Sequence, residues 1–223
     1  MPLQAPPTHL VVFGRPGSGK STLAERIGAE FGYSLVRTGE LLREAIRRDD
    51  FLGRRVEVHL TSGNLVPDPL IFELLELSLR APGTQRLLFD GFPRTMGQVP
   101  LLEQFERKLG FGIDCYLEIA VSRAEAVARM TGRRVCPTCG ATYHLQAKPP
   151  KVAEVCDNDG TPLVSRKDDR AEVVEVRQNL YDEHAGPILE HYRTHEPDKF
   201  LVVDGEGSTD QVYARTVAAL KLA

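Results

Sequence analysis

Apolar residues recur in two rhythms along the 223-residue chain. One is a short, nearly unbroken run, seen at 9–13 (His-Leu-Val-Val-Phe), 35–37, 86–90, 113–119 and 200–204. These runs lack strict in-and-out alternation, so they predict strands buried on both faces. The other rhythm is helical: Leu23, Ile27 and Phe31 follow the first run, and Leu41, Leu42, Ala45 and Ile46 follow the second. Runs alternating with helical segments predict an α/β fold, a parallel sheet flanked by helices, with ligands gathered at the carboxyl ends of its strands.

The alternation breaks from about 135 to 165, where Cys, Pro, Gly, Asn and Asp replace sustained periodicity. This stretch reads as a minidomain inserted into one core, since the chain shows no repeat and no linker dividing it into halves. Residues 1–8 are Pro-rich, without a charged start or long apolar stretch. They read as a short disordered tail and not as a secretory signal.

A hydrophobic content of 42% suits an ordinary globular core. The net charge of -3 and a pI near 6.1 offer no general attraction to nucleic acid or an anionic membrane. No segment approaches the roughly 20 apolar residues of a membrane span. The expected compartment is the cytoplasm.

Chemistry enters between Gly14 and Thr22, where Gly-Arg-Pro-Gly-Ser-Gly-Lys-Ser-Thr fits the phosphate-cradling pattern Gly-x4-Gly-Lys-Ser/Thr. It lies between a strand and a helix, as the pattern requires. Gly17, Ser18, Gly19, Lys20, Ser21 and Thr22 are therefore assigned to a nucleoside triphosphate. Glycines let backbone N–H groups turn inward, the helix adds its positive end, Lys20 reaches the β/γ-phosphates, and Ser21 can ligate magnesium.

The insertion carries Cys136-Pro-Thr-Cys139 and Cys156-Asp-Asn-Asp159, two pairs spaced as knuckles around one tetrahedral ion. Zinc is the natural candidate, and a closed set of three thiolates and one carboxylate would make it structural. Asp159 falls where the second ligand of a paired knuckle belongs, with His144 and Asp157 as competitors. A disulfide between Cys136 and Cys139, or plain buried cysteines, are the alternatives. Cys115, in an apolar run, reads as core.

Further segments carry a family likeness: Thr38-Gly-Glu-Leu-Leu-Arg43, Asp90-Gly-Phe-Pro-Arg-Thr95 with Gln98, Gly132-Arg-Arg-Val135, Gly140-Ala-Thr-Tyr-His144, Arg166-Lys-Asp-Asp169 and Val203-Asp-Gly205. In this order they resemble adenylate kinases, in the bacterial-type form with a long zinc-binding lid. The resemblance covers nearly all residues after the tail. It implies a core with a five-stranded parallel sheet (9–37, 68–129 and 169–223), an AMP-binding arm (38–67) and a lid (130–168). It also implies magnesium-dependent ATP + AMP = 2 ADP by direct in-line transfer.

Phosphoryl transfer asks that two anions be aligned while positive groups offset their charge, and arginine forks suit the task. On the resemblance, Arg43 and Arg94 hold the AMP phosphate. Lys20, Arg94, Arg133, Arg166 and Arg177 form the catalytic set, with Arg166 and Arg177 touching both nucleotides. Arg129, taken as one helical turn before Arg133, assists on the ATP side. Thr38 serves as helix N-cap, adenine contact or both. Gln98 reads the edge of the AMP base, Asn64, Leu65 and Val66 pass backbone along it, and Gly91, Phe92 and Pro93 complete the AMP side.

Thr142 and Tyr143 lie toward ATP, although the tyrosine could equally pack the zinc knuckle, and the backbone of Gly207 meets the ATP adenine. Asp90 binds magnesium through water. Asp168 and Asp169 read as lid-hinge acids, with an exposed acidic turn as the competing reading. Expected partners are ATP, AMP and ADP, with no nucleic acid and no membrane, on a monomer. A kinase for another nucleoside monophosphate, a non-catalytic zinc-stabilised nucleotide-binding regulator and a zinc-ribbon nucleic-acid adaptor are the readings it competes with.

Overall fold

The computed structural model describes residues 3–48, 51–79 and 86–222. A five-stranded, wholly parallel sheet forms from β1 (His9–Phe13), β2 (Ser34–Arg37), β3 (Leu87–Asp90), β4 (Cys115–Ala120) and a last strand, Phe200–Asp204, in the spatial order β2-β3-β1-β4-last. All five expected runs are strands, with ends moved by one or two residues.

Both faces of the sheet are covered, which is why the runs show no alternation. On β1, Val11 and Phe13 turn to one apolar cluster, while Leu10 and Val12 turn to the other. The first cluster takes in α4 (Asp68–Leu79), α5 (Val99–Leu109) and part of the 25-residue α7 (Ala171–His195). The second takes in α1 (Lys20–Phe31) and α8 (Thr209–Ala219). Between β2 and α4 stand α2 (Thr38–Arg47) and α3 (Phe51–Ser62).

After β4, α6 (Arg123–Thr131) leads into a small antiparallel pair, β5 (Arg133–Val135) and β6 (Thr142–His144). The last strand of the large sheet is thus β7 (Phe200–Asp204). The inserted minidomain holds its own small cluster of Cys136, Tyr143, Cys156 and Leu163.

The disordered tail is corrected from Leu3 onward. Leu3 is buried in the cluster that contains Tyr33 and Leu220, and the Tyr33 hydroxyl donates to the Pro7 carbonyl. The amides of Thr8 and His9 both donate to Asp114 Oδ2 at 2.8 Å. An apolar side chain and a carboxylate just ahead of β4 hold what composition alone marks as loose. Met1 and Pro2 of that segment lie outside the described residues.

Candidate active site

The pairings Val12 with Asp90 and Arg37 with Asp90 bring the carboxyl ends of β1, β2 and β3 side by side. That edge collects the glycine-rich loop after β1, Thr38 at the start of α2, and the Asp90–Arg94 segment after β3. Gly17 sits at φ 91°, and a Cβ there would stand 2.3 Å from the Ala126 carbonyl oxygen. No side chain fits, so this glycine is required by the approach of α6.

Lys20 opens α1 and donates to the Arg15 carbonyl at 3.4 Å, while the Ser21 hydroxyl donates to Asp90 Oδ2. Burial pulls the Lys20 ammonium down to about 8, helped by Arg94, Arg177 and Arg133 and opposed by Asp90. Arg94 is lowered to about 10 by burial and by Arg177, and Arg166 to about 10 by burial and by Arg133 and Arg43. Arg43 and Arg177 are lowered as well, burial first.

Lys20, Arg43, Arg94 and Arg177 line one cavity of about 960 Å³, and Arg133 and Arg166 approach from the minidomain side. Six cations thus confront three buried carboxylates, Asp90, Asp168 and Asp169. Arg133 takes Asp169 in a two-pronged grip (Nε to Oδ2 2.7 Å, Nη2 to Oδ1 2.5 Å). Arg177 donates to Asp168 Oδ2 at 2.8 Å. Burial would raise the Asp168 carboxyl, yet Arg177, Arg43, Arg133 and Arg166 outweigh it and hold it low. The exposed acidic turn is therefore corrected: both aspartates are buried partners of arginines.

A second hollow, about 340 Å³, is lined by Thr38, Asn64, Leu65, Val66, Gly91, Arg94 and Gln98, all expected together on the AMP side. Thr38 is no N-cap: α2 starts on it, its cap is Arg37, and the Thr38 hydroxyl donates to the Gly91 carbonyl at 2.7 Å. Arg94 Nε donates to that same carbonyl at 2.7 Å. The Gln98 carboxamide is fixed at both ends, accepting from Arg94 N and donating to Asp68 Oδ1, each at 2.7 Å. Pro93 lines the larger cavity, but Phe92 is 1% exposed and belongs to the core.

Arg129 is not a helical turn before Arg133, because α6 ends at Thr131 and Arg133 opens β5. Held by Glu125 at 2.7 Å, it donates instead to the carbonyls of Ser18 (3.3 Å), Gly205 (3.1 Å) and Gly207 (3.5 Å). It thereby ties the glycine-rich loop to the turn after β7. The loop itself shows Ser18 buried and Gly19 and Thr22 at the solvent side. Thr142 accepts from Arg166 at 3.4 Å.

In the minidomain the ligating atoms of Cys136, Cys139, Cys156 and Asp159 all lie within 4.8 Å of one another. The four cysteines of the chain are free thiols, so no Cys136–Cys139 disulfide is present. The competitors are engaged elsewhere: Asp157 Oδ1 accepts from Lys151 N at 2.9 Å, and His144 Nδ1 accepts from Gln146 N and Ala147 N. The Tyr143 hydroxyl sits 3.5 Å from Cys156 Sγ and accepts from Asp157 N, so this ring packs the knuckle. Cys115 is fully buried in the second apolar cluster, and its thiol is pushed up to about 12 by burial.

Sequence reasoning missed Asp68, which orients Gln98, and Gln178, a fully buried amide on α7 that donates to the Pro16 carbonyl. Their partners lie 30 and 162 positions away, beyond any local pattern.

The family model described as adenylate kinase matches residues 12–197. Similar proteins include an adenylate kinase of Thermococcus kodakarensis, 39% identical over 207 residues (93% of this chain, 91% of the relative). One of Pyrococcus furiosus is 39% identical over 207 residues (93% of each). One of Carboxydothermus hydrogenoformans is 38% identical over 213 residues (95% of this chain, 99% of the relative).

Proposed function

The chain belongs to the adenylate kinase family, and we propose that its two hollows take ATP and AMP for magnesium-dependent transfer giving two ADP. An oxygen of the AMP phosphate attacks the γ-phosphorus of ATP, the bond from that phosphorus to the β,γ-bridging oxygen breaks, and the electron pair leaves with ADP. No group on the enzyme becomes phosphorylated. The observation that carries this reading is the convergence of Lys20 and five arginines, with three carboxylates, beside a hollow lined by Thr38, Gln98 and residues 64–66.

Arg43 and Arg94 hold the acceptor phosphate, and Lys20, Arg133, Arg166 and Arg177 take the charge of the transferring group. Because Asp90, Asp168 and Asp169 offset only part of the charge of these six cations, a bound polyanion relieves the repulsion that remains. Thr38, Gln98 and the 64–66 backbone line the AMP base, while Gly17–Thr22, Arg129, Thr142 and the Gly207 backbone serve ATP. Ser21 and Asp90, already bonded to each other beside Lys20, fit a magnesium site, with Asp90 acting through water. Ser21 and Asp90 would hold magnesium there, and its chemistry would be charge neutralisation of the nucleotide.

The donor set Cys136, Cys139, Cys156 and Asp159 fits structural zinc, since four protein ligands leave no position for water. Bound there, zinc would make 130–168 one rigid lid, with 38–67 as the AMP arm, and closure of that lid excludes water as competing acceptor. All these side chains come from one chain, which supports a monomer. Among the described residues no helix is long and apolar enough to cross a membrane, and we place the enzyme in the cytoplasm. A coupled assay for ADP from MgATP with AMP, GMP, CMP or UMP tests the reading, beside a control without acceptor. Fast turnover with AMP alone is expected, whereas preference for another monophosphate, or plain hydrolysis, overturns it.

A further inference from the structure

Arg15 lies inside the glycine-rich loop, and its side chain reaches out of the loop to α7. There it meets three residues of one helical face, Gln178, Tyr181 and Asp182, spaced i, i+3 and i+4. Nη1 donates to Gln178 Oε1 at 3.1 Å, Nη2 pairs with Asp182 Oδ1 at 2.7 Å, and the guanidinium carbon stands 4.7 Å from the Tyr181 ring centroid. Gln178 answers from the helix: its Nε2 donates to the Pro16 carbonyl at 2.9 Å and lies 3.5 Å from Met130 Sδ. That carboxamide is fully buried, with both of its ends engaged on the loop.

The same Arg15 holds the other side of the loop through its backbone. Its carbonyl accepts from Ser18 N at 2.9 Å and from Lys20 Nζ at 3.4 Å. Arg177, the neighbour of Gln178, faces the cavity and Asp168. A short rigid path therefore runs from the Lys20 ammonium through residue 15 and Gln178 to the helix that carries Arg177. The far end is braced again, since Arg123 on α6 pairs with Asp182 and donates to Asn179 Oδ1 at 2.7 Å.

We propose that Arg15 and Gln178 are positioning residues that lock the phosphate loop to α7, so that Lys20 and Arg177 meet one triphosphate at a fixed separation. The inference rests on the reading of Lys20 and Arg177 as phosphate ligands given under Proposed function. Neither Arg15 nor Gln178 is among the residues that line the two hollows. Geometry carries the effect, because a misplacement of about 1 Å at a reacting group can cost on the order of a hundredfold in rate. A buried network also acts as a unit, so that losing one member leaves the other unsatisfied.

The test compares wild type with Arg15→Ala, Arg15→Lys, Gln178→Met and the Arg15→Ala/Gln178→Met pair. Gln178→Met keeps the buried volume while removing both hydrogen bonds, which separates positioning from packing. Turnover and the KM for ATP and for AMP are measured for each, with MgATP affinity by titration calorimetry. Expected are a fall in kcat of about tenfold and a weakening of MgATP binding of about tenfold in each single variant. The KM for AMP should stay within about twofold. Arg15→Lys should not restore function, because an ammonium cannot span Gln178, Tyr181 and Asp182 as a planar fork does, and the double variant should fall no further than the worse single.

Turnover and MgATP affinity within about twofold of wild type in Arg15→Ala and Gln178→Met would overturn the tie, whatever happens to the melting temperature. So would fully multiplicative effects in the double variant. A wild type that binds MgATP but transfers nothing to AMP would instead defeat the functional reading, and the affinity series would still decide the tie.

Discussion

Replacing Lys20 by methionine is expected to stabilise the nucleotide-free protein while destroying phosphoryl transfer. The ammonium is brought from its ordinary 10.5 to about 8, by burial first and then by Arg94, Arg177 and Arg133, against the pull of Asp90. At about 1.36 kcal/mol for each pH unit, that displacement makes roughly 3 kcal/mol of folded-state penalty for carrying the proton. Lys20 keeps some contact with water, so about half of this is taken as surviving solvent screening. The gain is then about 1.5 kcal/mol, or roughly 3–6 °C in melting temperature for a chain of this size.

Its pH dependence has a definite sign. Below about pH 8 the folded and unfolded chains both hold the proton, and the folded one bears the whole penalty. Between 8 and 10.5 the folded chain releases it first, and the penalty fades. The advantage of the variant should therefore be full at pH 7 and smaller at pH 9.5, as read by calorimetric melting. Its kcat should fall by about a thousandfold. A variant that melts below wild type at pH 7 would refute the argument, because Lys20 would then be a stabilising partner and not one of an excess of cations.

Arg133→Ala should lower kcat at least about a hundredfold, with KM for AMP moving far less, in steady-state assays; a near-normal rate would remove Arg133 from the transfer site. Cys156→Ala should lose bound zinc, measured by elemental analysis, and melt earlier while retaining part of its activity at low temperature. Unchanged metal content would sink the ligand set. Asp68→Ala frees the Gln98 amide beside the hollow proposed for AMP, so KM for AMP should rise roughly tenfold with KM for ATP steady. Equal changes in both would show a general loosening of α4 in place of a specific one.

The strands and the phosphate loop were legible because their signals are local: a run buried on both faces looks continuous, and a cradle of glycines has a fixed length. The gathering of Cys136, Cys139, Cys156 and Asp159 was legible for the same reason, since paired spacing is local, and His144 and Asp157 serve backbone amides instead. What stayed hidden are pairings across the chain. Nothing near Gln98 announces Asp68, and nothing near Arg15 announces Gln178, 163 positions away. Leu3 escaped for a related reason, since a Pro-rich opening looks loose until Asp114 and Tyr33 arrive to hold it. Thr38 misled through its residue type: its hydroxyl serves the Gly91 carbonyl and leaves the helix uncapped.

The strand order sets a timetable for synthesis. The central strand, β1, is made well before either neighbour, since His9 pairs with Leu87 and Leu10 with Cys115. A growing chain must therefore leave this apolar strand without a sheet partner until β3 has emerged. The edge strand closes later still, when Phe200 reaches Tyr116. Such non-local pairing makes for slow folding and for long exposure of sticky surface. The nascent chain thus has a reason to engage a chaperone early, and to complete its sheet only once β7 is delivered.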